Sequence, residues 1–206
     1  MLDAKLRPLI DPPLNRAGAW LARRGIGANA VTLAGLLPGI AAAVAIAHSH
    51  FAIGLALILI NRVFDGLDGA VARATRQSDF GGYLDIVADF AFYVAVPVGF
   101  GFAASDNTPA ALVLVAAFTL TGISFLAFAT LAAKTGMETA EHGKKSFFYN
   151  TGLAEGTETI AVFCAMCLWP VYFPLLAWGY SAVCLITVIQ RSALAHAMFG
   201  KKRTGA

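Results

Sequence analysis

Six apolar runs of membrane-spanning length divide this chain, at roughly 29–47, 51–72, 84–104, 109–133, 153–170 and 173–198, with Gly, Pro or polar residues between them. A run of about 20 such residues satisfies its backbone inside the bilayer only as a helix or within a closed barrel, and the lengths here are helical. A composition of 58% hydrophobic and 13% charged residues excludes an ordinary water-soluble domain, a disordered chain and a nucleic-acid-binding surface. The three cysteines, Cys164, Cys167 and Cys184, form no disulfide framework. The expected fold is therefore an all-α integral membrane protein of six transmembrane helices in one domain, 1–206: a surface segment over 1–27 and a bundle over 28–200.

The cations orient that bundle. All fifteen Lys and Arg fall on one side: Lys5, Arg7, Arg16, Arg23 and Arg24; Arg62, Arg73 and Arg76 around the second turn; Lys134, Lys144 and Lys145; Arg191, Lys201, Lys202 and Arg203. The opposite loops, near His48–His50, Ser105–Pro109 and Pro170–Pro174, carry none. The positive-inside rule then places both termini in the cytoplasm and the protein, multi-pass, in the cell (inner) membrane. Residues 14–24 alternate Leu14, Ala17, Trp20 and Leu21 with Arg16, Arg23 and Arg24, an amphipathic helix suited to the inner surface. More than twenty-five residues precede the first run, which disfavours a cleaved signal peptide.

Four of the twelve acidic residues fall in two close pairs: Asp65 and Asp68 at the end of the second run, Asp85 and Asp89 at the start of the third. A charge at the bilayer centre costs about 2.5–3.5 kcal/mol on insertion scales, so such groups mark function. At 100° per residue each pair shares a helix face, about 60° and 40° apart. A connection of around ten residues, Ala74–Tyr83, brings both pairs to the same leaflet. Like charges about 4 Å apart repel by roughly 4 kcal/mol at an effective dielectric of 20. A divalent cation is the natural remedy, and an all-oxygen ligand set suits Mg²⁺ or Mn²⁺ over Zn²⁺, with four acids sufficient for two ions. Gly69 and Ala72 lie within about 40° of Asp65 and leave a strip without bulky side chains, and Arg73 one turn on is placed for a phosphate. Close helix packing of the small-xxx-small type is the competing reading of that strip, and of Gly35 and Gly39.

The order Asp65-Gly-Leu-Asp68-Gly69-Ala-Val-Ala72-Arg73, then Gly81-Gly-Tyr-Leu-Asp85-Ile-Val-Ala-Asp89, resembles the CDP-alcohol phosphotransferase (CDP-alcohol phosphatidyltransferase) signature DxxDGxxAR…GxxxDxxxD. Seven residues separate Arg73 from Gly81 where the usual pattern has eight. The resemblance implies a membrane transferase of phospholipid synthesis. It would move a phosphatidyl group from CDP-diacylglycerol to a small polar alcohol and release CMP. The resemblance also implies roles: Asp65, Asp68, Asp85 and Asp89 as metal ligands, Asp89 as general base, Asp68, Gly69, Ala72, Arg73 and Gly81 at the nucleotide, and a homodimer. Two alternatives stand beside it: transfer from a soluble CDP-alcohol to a lipid hydroxyl, and a non-catalytic metal-binding transporter or scaffold. Acids confined to one leaflet disfavour transport.

Elsewhere the signals are weaker. Lys144, Lys145, Glu155, Glu158 and Arg191 are candidates for an acceptor pocket, against the plain reading of Glu155 and Glu158 as helix N-terminal acids. Cys164 and Cys167 are read as packing residues. Asn29 and Thr32 are read as capping the first span, with approach to the nucleotide as the alternative.

Overall fold

The computed structural model describes residues 3–135, 154 and 156–200. Among these the chain is helical throughout, without a strand. Its helices are α1 (Asp3–Arg23), α2 (Ala28–Ala47), α3 (Phe51–Ala74), α4 (Asp79–Ala103), α5 (Thr108–Lys134), α6 (Gly156–Leu168) and α7 (Phe173–Phe199), with single 3₁₀ turns at Ser105–Asn107 and Pro170–Tyr172.

Four of the described segments are long and apolar enough to cross a membrane: Ala28–Ala47, Asp79–Ala103, Ser105–Lys134 and Pro170–Phe199. α3 is long enough at 24 residues but carries Arg62, Asp65, Asp68 and Arg73. α6, within the run expected at 153–170, has only 13 residues, about 20 Å of helix. The third span also differs from its expected start at 84. Ser78 caps α4 by accepting a hydrogen bond from the Gly81 amide at 3.0 Å, so the helix begins at Asp79. The connection from α3 is thereby four residues, Thr75–Ser78, where about ten were expected. The expected cap of α2 by Asn29 or Thr32 is not formed. Gly27 is the N-cap residue, without a side-chain bond, and Thr32 turns its hydroxyl back to the Ala28 carbonyl at 3.1 Å.

α2 packs against α3 and α4, α5 against α4 and α7, and α6 against α3 and α7. Lipid offers apolar side chains no worse a home than the bundle does, so close backbone approach rather than hydrophobic burial selects these pairs. At Gly99 of α4 an added Cβ would lie 2.5 Å from the Ala43 carbonyl oxygen of α2, so only glycine lets the two helices touch. Below this contact a core of aromatic rings fills the bundle: Phe51, Phe100 and Phe173 stack at 5.7 and 4.5 Å, and Phe163 sits 5.8 Å from Phe92 and 5.9 Å from Phe118. The outside is apolar too, with Leu37, Phe102, Leu175 and Ile189 exposed, as a lipid-facing surface requires.

α1 is longer than the amphipathic stretch expected at 14–24, and it lies along the second half of α3. Buried Gly18 makes the approach: a Cβ there would come within 2.7 Å of Ala70. Leu14 fills the space that a side chain at Gly66 would take. A Schellman turn ends α1, with the Ile26 amide donating to the Leu21 carbonyl and Gly25 at φ 77°, and swings the chain into α2.

Candidate active site

α3 and α4 run antiparallel, and the short connection between them fixes which turns face each other. Asp65 lies nine residues before the end of α3 and Asp89 ten residues after the start of α4, both about 14–15 Å along their helices. Asp68 and Asp85 are each six residues from those ends, about 9 Å. Asp65, Asp85 and Asp89 each contribute a carboxylate oxygen to a group whose members all lie within 4.8 Å of one another. Asp68 is not in that trio. It is buried, beside the same pocket, which also touches Thr32, Gly35 and Asn61.

Two connected features open from these carboxylates. The inner pocket between Asp65, Asp68, Asp85 and Asp89 holds about 10 Å³, room for one water-sized occupant. The outer groove, about 630 Å³, begins at Asp68 and Asp85 and runs past Gly69, Ala72, Arg73 and Gly81 to Asn29 of α2. All five residues expected at a nucleotide thus border one groove. The two glycines keep it open. A side chain on Gly69 would press against the Arg73 guanidinium at 3.3 Å, and one on Gly81 would meet Ser78 Oγ at 3.0 Å and Asn29 Oδ1 at 3.1 Å. Arg73 is held from the surface helix, donating from Nη2 to Asn15 Oδ1 at 2.9 Å.

Arg62 is the residue the charge count misplaces. Grouped with the loop cations around the second turn, it sits instead twelve residues inside α3, one turn before Asp65. Its guanidinium donates to Asp89 Oδ1 at 3.1 Å and lies 3.5 Å from Asp65 Oδ2. Asn61 Oδ1 accepts from its Nε at 2.9 Å and its Nη2 at 2.6 Å, while the Asn61 amide donates to the Gly35 carbonyl of α2 at 2.8 Å. A polar Asn-Arg pair within an apolar run is the same kind of signal that singled out the aspartates, and it was there to be used.

The acceptor candidates are less gathered. Arg191 on α7 donates to the Thr121 carbonyl at 2.9 Å and to Ser124 Oγ at 2.7 Å, both on α5, and its guanidinium lies over Phe125. Glu158 lies in the first turn of α6. Lys144, Lys145 and Glu155 lie outside the described residues. Cys167 and Cys184 are buried, Cys164 is partly buried, and all three are free thiols.

The trio suits a hard divalent cation. Oxygen ligands at about 2.1 Å place cis neighbours about 3 Å and trans partners about 4 Å apart, and the Asp65, Asp85 and Asp89 oxygens, all within 4.8 Å of one another, surround a space of that order. Among the described residues no cysteine or histidine enters the cluster, so the donor chemistry is that of Mg²⁺ or Mn²⁺.

A profile of the CDP-alcohol phosphatidyltransferase family matches residues 26–199. The inner membrane protein YnjF of Escherichia coli K12 is 45% identical over 192 residues, 93% of each chain. The archaetidylinositol phosphate synthase of Pyrococcus horikoshii is 37% identical over 87 residues, covering 42% of this chain and 46% of that one. Among solved structures, the Mycobacterium tuberculosis phosphatidylinositol phosphate synthase PgsA1 shares the fold. With CDP-DAG bound it matches at a TM-score of 0.70 and 20% identity, over 94% of this chain and 98% of that one. In complex with manganese and citrate it matches at 0.65 and 21%, over 87% of both. Four membrane-length helices, the signature from Asp65 to Asp89 and a family match over most of its length together establish that this chain belongs to the CDP-alcohol phosphatidyltransferase family.

Proposed function

We propose that this protein transfers a phosphatidyl group from CDP-diacylglycerol to a small polar alcohol, releasing CMP, at the cleft between α3 and α4. One observation carries the reading: three carboxylates gathered within 4.8 Å, of which Asp85 also borders a groove flanked by Gly69, Ala72, Gly81 and Arg73. An acidic cage alone would suit ion binding; the adjoining groove, with Gly69, Ala72 and Gly81 beside the Arg73 guanidinium, suits a pyrophosphate-linked nucleotide. A protein of the same fold has CDP-DAG bound and has been crystallised with manganese, which supports both parts.

In this reading Asp65, Asp68, Asp85 and Asp89 hold one or two Mg²⁺ or Mn²⁺ ions. When bound, these would neutralise the pyrophosphate charge and make the attacking hydroxyl more acidic. Gly69, Ala72 and Gly81 admit the cytidine diphosphate against the helix backbone, and Arg73 pairs with its phosphate. Asp89 takes the proton from the acceptor hydroxyl as the new oxygen–phosphorus bond forms; the bond to the CMP oxygen breaks, and CMP departs with that electron pair. Arg191 and Glu158, with Lys144, Lys145 and Glu155, are proposed for the acceptor side. The remaining parts of the reading are six crossings by α2 to α7, α1 at the inner surface, both termini in the cytoplasm, and a homodimer.

The test is purified protein in detergent with radiolabelled CDP-diacylglycerol and Mn²⁺, offered serine, inositol phosphate and glycerol phosphate in turn. Manganese-dependent CMP release with one of them is the expected result. Release only from CDP-choline or CDP-ethanolamine with diacylglycerol would reverse the lipid roles. No release under either arrangement, with Mn²⁺ still bound, would favour a carrier or scaffold.

A further inference from the structure

We propose that Arg62 is a resident counter-cation that competes with the divalent ion for Asp65 and Asp89 and so sets how tightly this site takes metal. The proposal rests on the metal-site reading given above.

Arg62 is held from four directions. Asn61 receives two of its N–H groups and is itself tied to the Gly35 carbonyl, so the guanidinium is anchored to α2 as well as α3. Asp89 and Asp65 take the other side at 3.1 and 3.5 Å. The guanidinium lies 4.5 Å from the Phe92 ring centroid and 5.7 Å from that of Tyr93. Its side chain is only 17% exposed. A solvated surface arginine is not fixed in this way; this one is built into the cage.

The electrostatics give the consequence. Fully ionised, three carboxylates within 4.8 Å would carry three negative charges, of which Arg62 offsets one. An arriving ion therefore meets a weaker field and must share Asp65 and Asp89 with a cation that cannot diffuse away. The same arginine supports the empty cage, because without it like charges face each other within 4.8 Å. Removing Arg62 should strengthen metal binding and weaken the metal-free fold. A residue that merely shaped the cage would do the opposite to binding.

Mn²⁺ binding is measured by electron paramagnetic resonance on detergent-purified wild type and Arg62→Gln, with thermal melting in EDTA and in saturating Mn²⁺. Expected are a dissociation constant about tenfold lower in Arg62→Gln, a lower melting temperature in EDTA, and closure of that gap when Mn²⁺ is added. An unchanged or weaker Mn²⁺ affinity overturns the proposal. If Arg62→Gln is not recovered folded, Arg62→Lys is titrated instead. It keeps the charge but loses the fork; tightening of about threefold supports competition, and unchanged or weaker binding overturns it. Wild type that binds no Mn²⁺ overturns the metal reading, and with it this one. Wild type that binds, with an unaltered variant, overturns the competition alone.

Discussion

The two halves of the α3–α4 pair are built on opposite logic. In the half near Gly54 and Phe100, buried Ile58 and Val96 and stacked aromatic rings fill the space. In the half near Ala74 and Asp79, the same two helices hold apart two cavities lined by carboxylates, glycines and arginines. The packed half spends no polar group and carries no chemistry. The open half concentrates charge in a place where charge is costly, and both of its helices are packed on α2. The difference teaches that substitutions should separate cleanly: those in the open half should move activity and metal binding, and those in the packed half should move stability.

The largest effect is expected at Asp89. On the proposed function, Asp89→Asn would keep the shape and remove both the proposed base and a proposed charged ligand, so turnover should fall about 10⁴-fold while CDP-diacylglycerol still binds within a few-fold of wild type. Single-turnover CMP release and equilibrium binding of labelled donor check this together. Equal loss of both would show that Asp89 serves the donor and not the proton.

In the packed half, Phe100→Ala removes a ring that lies between Phe51 and Phe173. By analogy with buried aromatic truncations it should cost about 3–5 kcal/mol, seen as a lower melting temperature in detergent. Mn²⁺ affinity of the folded protein at low temperature should not change. If it does, the two halves are coupled more tightly than their separate packing implies.

Next in size is the docking of α1 on the open half. Gly18→Leu forces a side chain into the Ala70 backbone and should cost about 1–3 kcal/mol through strain or partial undocking. Because α1 rests on the signature helix, donor affinity should fall along with stability. Unaltered donor binding after a measured drop in melting temperature would make α1 a passive surface helix.

How much of this was legible beforehand follows the same division. Apolarity and punctuation located α2 and α5 within a residue or two, since length and hydropathy alone decide them. The start of α4 was missed because one short-range cap, the Gly81 amide donating to Ser78 Oγ, outweighs Asp79 and the helix-weakening pair Gly81 and Gly82. The four aspartates stood out because each is expensive where it lies. Their arrangement as a trio with Asp68 set beside the groove did not, because that depends on the register between two helices. For the same reason Arg62 reads as a loop cation until α4 is placed next to it: its partner Asp89 is 27 positions away, and the Gly35 carbonyl that holds the neighbouring Asn61 is 26 positions from it, each on a different helix.

The smallest effect is expected at Asn15, and it bears most directly on whether the open half ends at the bundle or extends into α1. Asn15 lies 58 positions from Arg73 in sequence and accepts from its Nη2 at 2.9 Å, at an exposed point of the groove wall. Water can replace that bond, so Asn15→Ala should leave the fold intact and cost only the aim of the guanidinium. A rise of about 3–10-fold in KM for the donor, with kcat within twofold, is the expected split, about 0.7–1.4 kcal/mol. Asn15→Asp should restore the hold on Arg73 and yet also raise KM, because a carboxylate would compete with the phosphate for the same arginine. Two variants that both leave KM unchanged would confine the nucleotide site to α2, α3 and α4.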